Sequence, residues 1–226
     1  MDGKCVVVTG ASRGLGASVA RAFAEAGASV VGCARNQSEL ERAFEDVSNA
    51  EGIEADVRDE DHAWGLVDYA AREHGEIDVL VANAGVNHGN PGEMALPEES
   101  YETFDDTMAT NLRGTFATVK EALSRMPADG RVLVPSGSVA REPTGGMGAY
   151  AVSKAAAEGL VRGFAADAEQ AVGVVDPGTV ATEVTGGRGR DPEEVAEMFV
   201  WAARDVASEN LDGEVLDLKS WKKATR

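Results

Sequence analysis

The chain has 226 residues, 39 of them acidic against 21 basic, for a formal net charge of −18 at pH 7. That length can bury one sizeable core and reads as one domain, while the negative charge argues against nucleic acid or an anionic membrane as partner. No apolar run is long enough to span a bilayer. Met1-Asp2-Gly3-Lys4 enters a strand with no signal-peptide architecture, so a cytoplasmic protein is expected. The acids are spread along the chain rather than gathered in a tail. They read as adaptation to high salt, where screening relieves self-repulsion; an ordinary, very soluble surface is the simpler alternative.

In chain order, a strand is predicted over 4–9, then the turn Thr9-Gly10-Ala11-Ser12-Arg13-Gly14-Leu15-Gly16, then a helix over 14–26. Glycines there let the backbone approach a pyrophosphate, which meets free N–H groups at the positive end of the helix. Such a turn also serves as a plain strand–helix connection, so alone it is modest evidence. The second strand, 29–34, runs into Arg35 and Asn36. In a dinucleotide fold its last residue reads the adenosine ribose: an acid bonds two free hydroxyls, a base accommodates a 2′-phosphate. Ala34 stands where the acid would be. Arg35 and Arg13 are planar cations suited to phosphate, so NADP(H) is expected over NAD(H), with solvated surface arginines as the bland alternative. Cys5 and Cys33 fall at opposite ends of neighbouring parallel strands. A disulfide needs Cα atoms roughly 4.4–6.8 Å apart, so free thiols are expected.

Further strands are predicted over 52–55, 77–82, 130–135, 172–176 and 214–218, and helices over 37–47, 59–74, 98–126, 149–168 and 191–207. Asp59 and Asp191 suit helix caps, and Pro192 suits a first helical position. The alternation implies an α/β fold: a doubly wound parallel sheet of the Rossmann type in a single domain, with ligands at the C-terminal strand ends. Asp56-Val57 follow the third strand and Asn83-Ala84-Gly85 the fourth. Ala84 and Gly85 are small enough for a ribose to lie against the backbone, and Asn83 is placed to tie neighbouring strand ends together. A capping Asp and an ordinary Asn turn are the competing readings. Downstream, Tyr150-Ala151-Val152-Ser153-Lys154 sets a phenol and an ammonium on one helix face. A nearby ammonium favours phenolate, so the Tyr150 pKa is expected to fall from its free value of about 10.

These motifs, in this order between about residue 4 and about residue 218, resemble the short-chain dehydrogenase/reductase family. The resemblance implies Tyr150 as proton donor or acceptor, with Lys154 lowering its pKa and holding the nicotinamide ribose. Asn111 would kink the long helix and hold a water of a proton relay. Asp56 and the Val57 amide would meet adenine, and Val180 and Thr182, in Pro177-Gly178-Thr179-Val180-Ala181-Thr182, the nicotinamide carboxamide. The expected cofactor wall is then Gly10, Ser12, Arg13, Gly14, Leu15, Gly16, Arg35, Asp56, Val57, Asn83, Ala84, Gly85, Lys154, Pro177, Gly178, Val180 and Thr182.

The family's carbonyl-holding serine usually lies thirteen residues before the Tyr, and here that position is Gly137, between Ser136 and Ser138. Gly137-Ser138-Val139-Ala140 looks like the family motif with one residue deleted. Ser138 is therefore the choice and Ser136 the reserve, with Gly137 expected to bend the chain between them. Two departures stand out. Few residues, rich in glycine, separate Thr182 from the helix at 191, where the family has a longer segment over the substrate. Asp217-Leu218-Lys219-Ser220 replaces the usual C-terminal Asp-Gly-Gly, which puts the family's C-terminal subunit contact in doubt. His62, His74 and His88 show no metal-ligand spacing. The expected activity is NADP(H)-dependent interconversion of a small-molecule carbonyl and alcohol, by a homodimer or homotetramer. A 3-oxoacyl thioester reductase and a non-catalytic dinucleotide sensor are the alternatives. Retention of both Tyr150 and Lys154 argues against the sensor.

Overall fold

The alternation of apolar runs and helical patterns closes into one seven-stranded sheet. A computed structural model describes residues 1–226. Its strands are β1 (Cys5–Thr9), β2 (Ser29–Ala34), β3 (Ala50–Glu54), β4 (Ile77–Val81), β5 (Arg131–Pro135), β6 (Ala171–Asp176) and β7 (Val215–Asp217), in the spatial order β3-β2-β1-β4-β5-β6-β7. Every neighbouring pair is parallel. Helices α1 (Gly14–Glu25), α2 (Gln37–Phe44), α3 (Glu60–His74), α4 (Tyr101–Met108), α5 (Thr115–Leu123), α6 (Gly148–Asp167) and α7 (Pro192–Arg204) make the connections. This is the doubly wound α/β fold expected from the sequence.

The strands are Val-rich because helices cover both faces of the sheet. Alternation along β1 sends Val6 and Val8 into one apolar cluster, with Phe23 and Phe199, and Val7 into the other, with Val31 and Leu66. The strand order reverses between β1 and β4, and the crevice at such a switch point is where a ligand fits. The β1–β2 register pairs Cys5 with Ser29 and Thr9 with Cys33, so the two thiols stay apart. Burial pushes each thiol pKa up to about 12. No helix is long and apolar enough to cross a membrane.

The helix expected over 98–126 is instead three pieces. A 3₁₀ turn at Leu96–Glu98 precedes α4, which starts after Ser100, whose hydroxyl accepts the Thr103 N–H. A π-helical segment, Ala109–Gly114, then separates α4 from α5. Two short helices were not foreseen, α8 (Ser208–Leu211) and α9 (Leu218–Ala224). The expected last strand ends one residue early because Asp217 caps α9, accepting the Ser220 N–H at 2.8 Å.

Candidate active site

A cleft of about 890 Å³ opens at the C-terminal ends of the strands. Its floor is the glycine turn. Gly10 has φ 66°, and a Cβ there would sit 2.9 Å from Ala84 Cα, while one at Gly16 would sit 2.1 Å from the Gly10 carbonyl oxygen. Only glycine allows this approach. Arg13, the N-cap of α1, gives no side-chain cap, so the first-turn N–H groups at the cleft wall stay free for an anion. Asn83 ties the strand ends as anticipated: its Nδ2 donates to the carbonyls of Thr9 at 2.9 Å and Gly10 at 3.2 Å. The Ala84 N–H donates to Thr9 Oγ1 at 3.0 Å.

At the far end of the cleft the charges are mixed. Arg35 is exposed at the rim, without an ion-pair partner. Arg13 lies 3.1 Å from Glu183 and 3.8 Å from Glu39, and Ser12 Oγ donates to Glu39 at 3.3 Å. Asp56, expected to be open to an adenine, is gripped by Arg58: Nη2 donates to Oδ2 at 2.6 Å and the Arg58 N–H to Oδ1 at 3.0 Å. These bonds hold the Asp56 carboxyl below its ordinary range. Arg58 also donates to Asp106 at 2.6 Å, and Asp106 bonds His88 Nε2 at 2.7 Å. Thr110 Oγ1 is buried beside the cleft with no partner. The close-approach glycines, the uncapped helix start and this orphaned hydroxyl fit an elongated, phosphate-bearing ligand such as a nicotinamide dinucleotide.

In the other half, α6 carries Tyr150 and Lys154 on the cleft wall. Lys154 Nζ lies 5.8 Å from the centroid of the Tyr150 ring and donates to the Pro135 carbonyl at 3.0 Å. Here the expected fall in the Tyr150 pKa is corrected. Burial pushes the Tyr150 pKa up to about 12, helped by Asp176, and burial pulls Lys154 down to about 8. Desolvation outweighs the ammonium because both groups leave water together. Asn111 sits in the π segment, buried. Its Nδ2 donates to the Val86 carbonyl and to Ser153 Oγ, both at 2.9 Å, and its Oδ1 accepts the Val86 N–H at 2.7 Å.

A family model described as short chain dehydrogenase matches residues 4–193. The chain belongs to the short-chain dehydrogenases. It is 34% identical to the cyclic-di-GMP-binding biofilm dispersal mediator protein of Escherichia coli K12, over 91% of this chain and 92% of that one. It is 29% identical to the 3-oxoacyl-[acyl-carrier-protein] reductase of Vibrio cholerae, over 96% of each. Among solved structures, the 3-ketoacyl-(acyl-carrier-protein) reductase of Brucella melitensis complexed with NADH superposes with a TM-score of 0.88 at 25% identity, covering 96% of this chain and 97% of that one. A short chain dehydrogenase of Burkholderia cenocepacia in complex with NADP gives 0.83 at 26%, covering 97% of each.

Of the residues expected in this short-chain dehydrogenase's site, the cleft wall brings together Gly10, Ser12 to Gly16, Arg35, Asp56, Val57, Asn83 to Gly85, Tyr150, Lys154, Pro177, Gly178, Val180 and Thr182. Thr182 also caps a 3₁₀ turn at Glu183–Thr185, with its N–H donating to Thr185 Oγ1 at 3.1 Å. Asn111 stands behind the wall. Ser138 is not on it. Gly137 is extended, with φ −162° and ψ 172°, rather than bent, and the chain turns only at the 3₁₀ segment Ser138–Ala140, which leaves Ser138 exposed. Ser136 is on the wall and buried, but its hydroxyl donates to Glu158 Oε1 at 2.7 Å.

Sequence reading missed Glu39, Arg58, Thr110, Arg141, Glu158 and Asp176. Glu158 had a signal, since it repeats the four-residue interval of Tyr150 and Lys154. The others had none, because their roles depend on which loops meet.

Proposed function

We propose that this protein is an NADP(H)-dependent oxidoreductase that interconverts a carbonyl compound and its alcohol, with Tyr150 as proton donor in the reductive direction. The observation that carries this reading is a phenol and an ammonium, the ammonium 5.8 Å from the phenol ring centroid, on the wall of the cleft that also holds the glycine turn. A nicotinamide dinucleotide bound there supplies or accepts the hydride. The chain's own residues do the rest. With its pKa near 12, Tyr150 keeps its proton at neutral pH and can deliver it to a carbonyl oxygen. Lys154, near 8, can carry the charge that steadies the phenol oxygen once the proton has left.

The role of carbonyl-holding hydroxyl goes to Ser138, which lies off the cleft wall and would reach a bound carbonyl only by a shift of the 138–140 turn. Ser136 is committed as a donor to Glu158, whereas the Ser138 hydroxyl has no partner. The free N–H groups of the α1 start would hold the pyrophosphate, and Arg35 with Arg13 would meet the 2′-phosphate. The preference for NADP(H) is supported by Ala34 and Arg35, with Glu39 weighing against it. Likeness to two acyl-carrier-protein reductases favours a 3-oxoacyl thioester among carbonyl substrates.

The test is a turnover screen of aldehydes, ketones, diketones and acyl thioesters with NADPH and with NADH, in molar potassium chloride. Oxidation of NADPH by at least one carbonyl is expected. Tight NADPH binding with no turnover on any of them would favour the non-catalytic dinucleotide sensor instead.

A further inference from the structure

Along α6, Tyr150, Lys154 and Glu158 recur at four-residue intervals and so share one face. Glu158 is only 4% exposed. An anion at that depth persists only when paired and hydrogen-bonded. Glu158 Oε1 accepts Ser136 Oγ and Arg141 Nη1, each at 2.7 Å. The same guanidinium donates through Nη2 to Asp176, whose other oxygen accepts the Gly178 N–H at 2.9 Å. Glu158 therefore fastens both ends of the 136–141 turn, the turn that carries Ser138. Arg141 ties this turn to the end of β6, just before Pro177 and Gly178 at the cleft wall.

The charge count gives the cluster a second role. Two carboxylates, Glu158 and Asp176, share one guanidinium, so the group carries one excess negative charge unless Lys154 is protonated. Lys154 has no carboxylate within ion-pair distance, its ammonium being spent on the Pro135 carbonyl. The field of Glu158 opposes the burial that would discharge Lys154, whereas that of Asp176 adds to the burial that keeps Tyr150 protonated. Other elements packed on α6 add little charge at this point. The π segment presents the neutral Asn111. On α4, Glu102 and Asp105 are exposed, and Asp106 is engaged by Arg58 and His88. Glu99 accepts the Ala149 N–H at the start of α6, and Arg162 is exposed one turn beyond Glu158.

We propose that Glu158, held by Ser136 and by an Arg141 that Asp176 anchors, is a positioning residue that fixes the Ser138 turn against α6 and keeps Lys154 cationic beside Tyr150. The catalytic consequence rests on the hydride-transfer reading above; the electrostatic pairing does not.

The chain has six lysines, so ¹³Cε-lysine labelling resolves the titration of Lys154 by NMR without any turnover. E158Q keeps an oxygen for Ser136 and removes only the charge, and the Lys154 midpoint should fall by about one pH unit. R141M leaves two carboxylates unopposed and should raise it. The double variant E158Q/R141Q should return it toward the parent, and if E158Q does not fold, a Lys154 midpoint that fails to rise in R141M overturns the proposal. A Lys154 midpoint unmoved in E158Q, or moved the same way in E158Q and R141M, would overturn the proposal. The alkaline limb of the turnover profile should follow the same displacements. Displaced midpoints with no Tyr150-dependent turnover would uphold the pairing and defeat the hydride-transfer reading.

Discussion

Asn111 grips the backbone of Val86 with both ends of its amide, Nδ2 donating to the carbonyl at 2.9 Å and Oδ1 accepting the N–H at 2.7 Å. Its second amide proton goes to Ser153 Oγ, so one side chain joins the loop after β4 to the helix that carries Tyr150. The π segment at Ala109–Gly114 puts it there, widening the helix by a residue where a regular α turn would aim the side chain elsewhere.

Replacing Asn111 by Ala leaves the Val86 amide groups without partners. We expect a loss of about 1–2 kcal/mol in urea unfolding, with reduced turnover. An Asn111→Ala variant as stable and as active as the parent would contradict this joining role.

The cofactor preference turns on a contest between two cations, Arg35 and Arg13, and two carboxylates, Glu39 and Glu183. Arg35→Ala should weaken NADPH binding roughly tenfold or more and leave NADH binding nearly unchanged, since a charge-assisted bond to phosphate is lost. Glu39→Gln should tighten NADPH binding by freeing Ser12 and removing one of the two carboxylates beside Arg13, Glu183 remaining 3.1 Å away. Dissociation constants for both cofactors decide the matter. An unchanged NADPH constant in Arg35→Ala would remove Arg35 from the phosphate site.

The two serines are separable by kinetics. Ser138→Ala should lower kcat/KM by about 2.7–4 kcal/mol of transition-state stabilisation, as for one donor to a developing oxyanion. Ser136→Ala should act mainly on stability, because it deprives the buried Glu158 of a hydrogen bond. The reverse ranking in kcat/KM would transfer the role to Ser136.

The fold was legible from β1 to β7 because both signals used, hydrophobic alternation and glycine punctuation, are local. So was the gathering of the glycine turn, Asp56 and Asn83 on one cleft wall, since they sit at strand ends that the parallel topology must bring together. The irregularity of the 98–126 helix at Asn111 was expected only through the family resemblance, since the loop that Asn111 bonds lies 25 residues earlier and no local pattern records the contact. The Tyr150 shift was misjudged for a similar reason: spacing shows that Lys154 is near, but not that both groups are buried. The Glu158–Arg141–Asp176 cluster needs three separate segments to meet, and no local pattern records that.

The net charge of −18 should make stability depend on salt. At low ionic strength the like charges repel across the surface, and about 10 Å of screening at 0.1 M shortens further as salt rises. Thermal melts from low to molar potassium chloride should therefore show a steep rise in Tm. A flat profile would reduce the acidity to a matter of solubility.

The most direct measurement is single-turnover oxidation of NADPH by a reactive carbonyl, followed at the nicotinamide absorbance in the parent and in Tyr150→Phe, with NADPH affinity measured in parallel. If Tyr150 delivers the proton, the rate should fall by roughly 10²–10⁴-fold while the NADPH dissociation constant stays the same. A Phe variant retaining a rate within about tenfold of the parent would contradict the assignment and place the proton source on another group or on water.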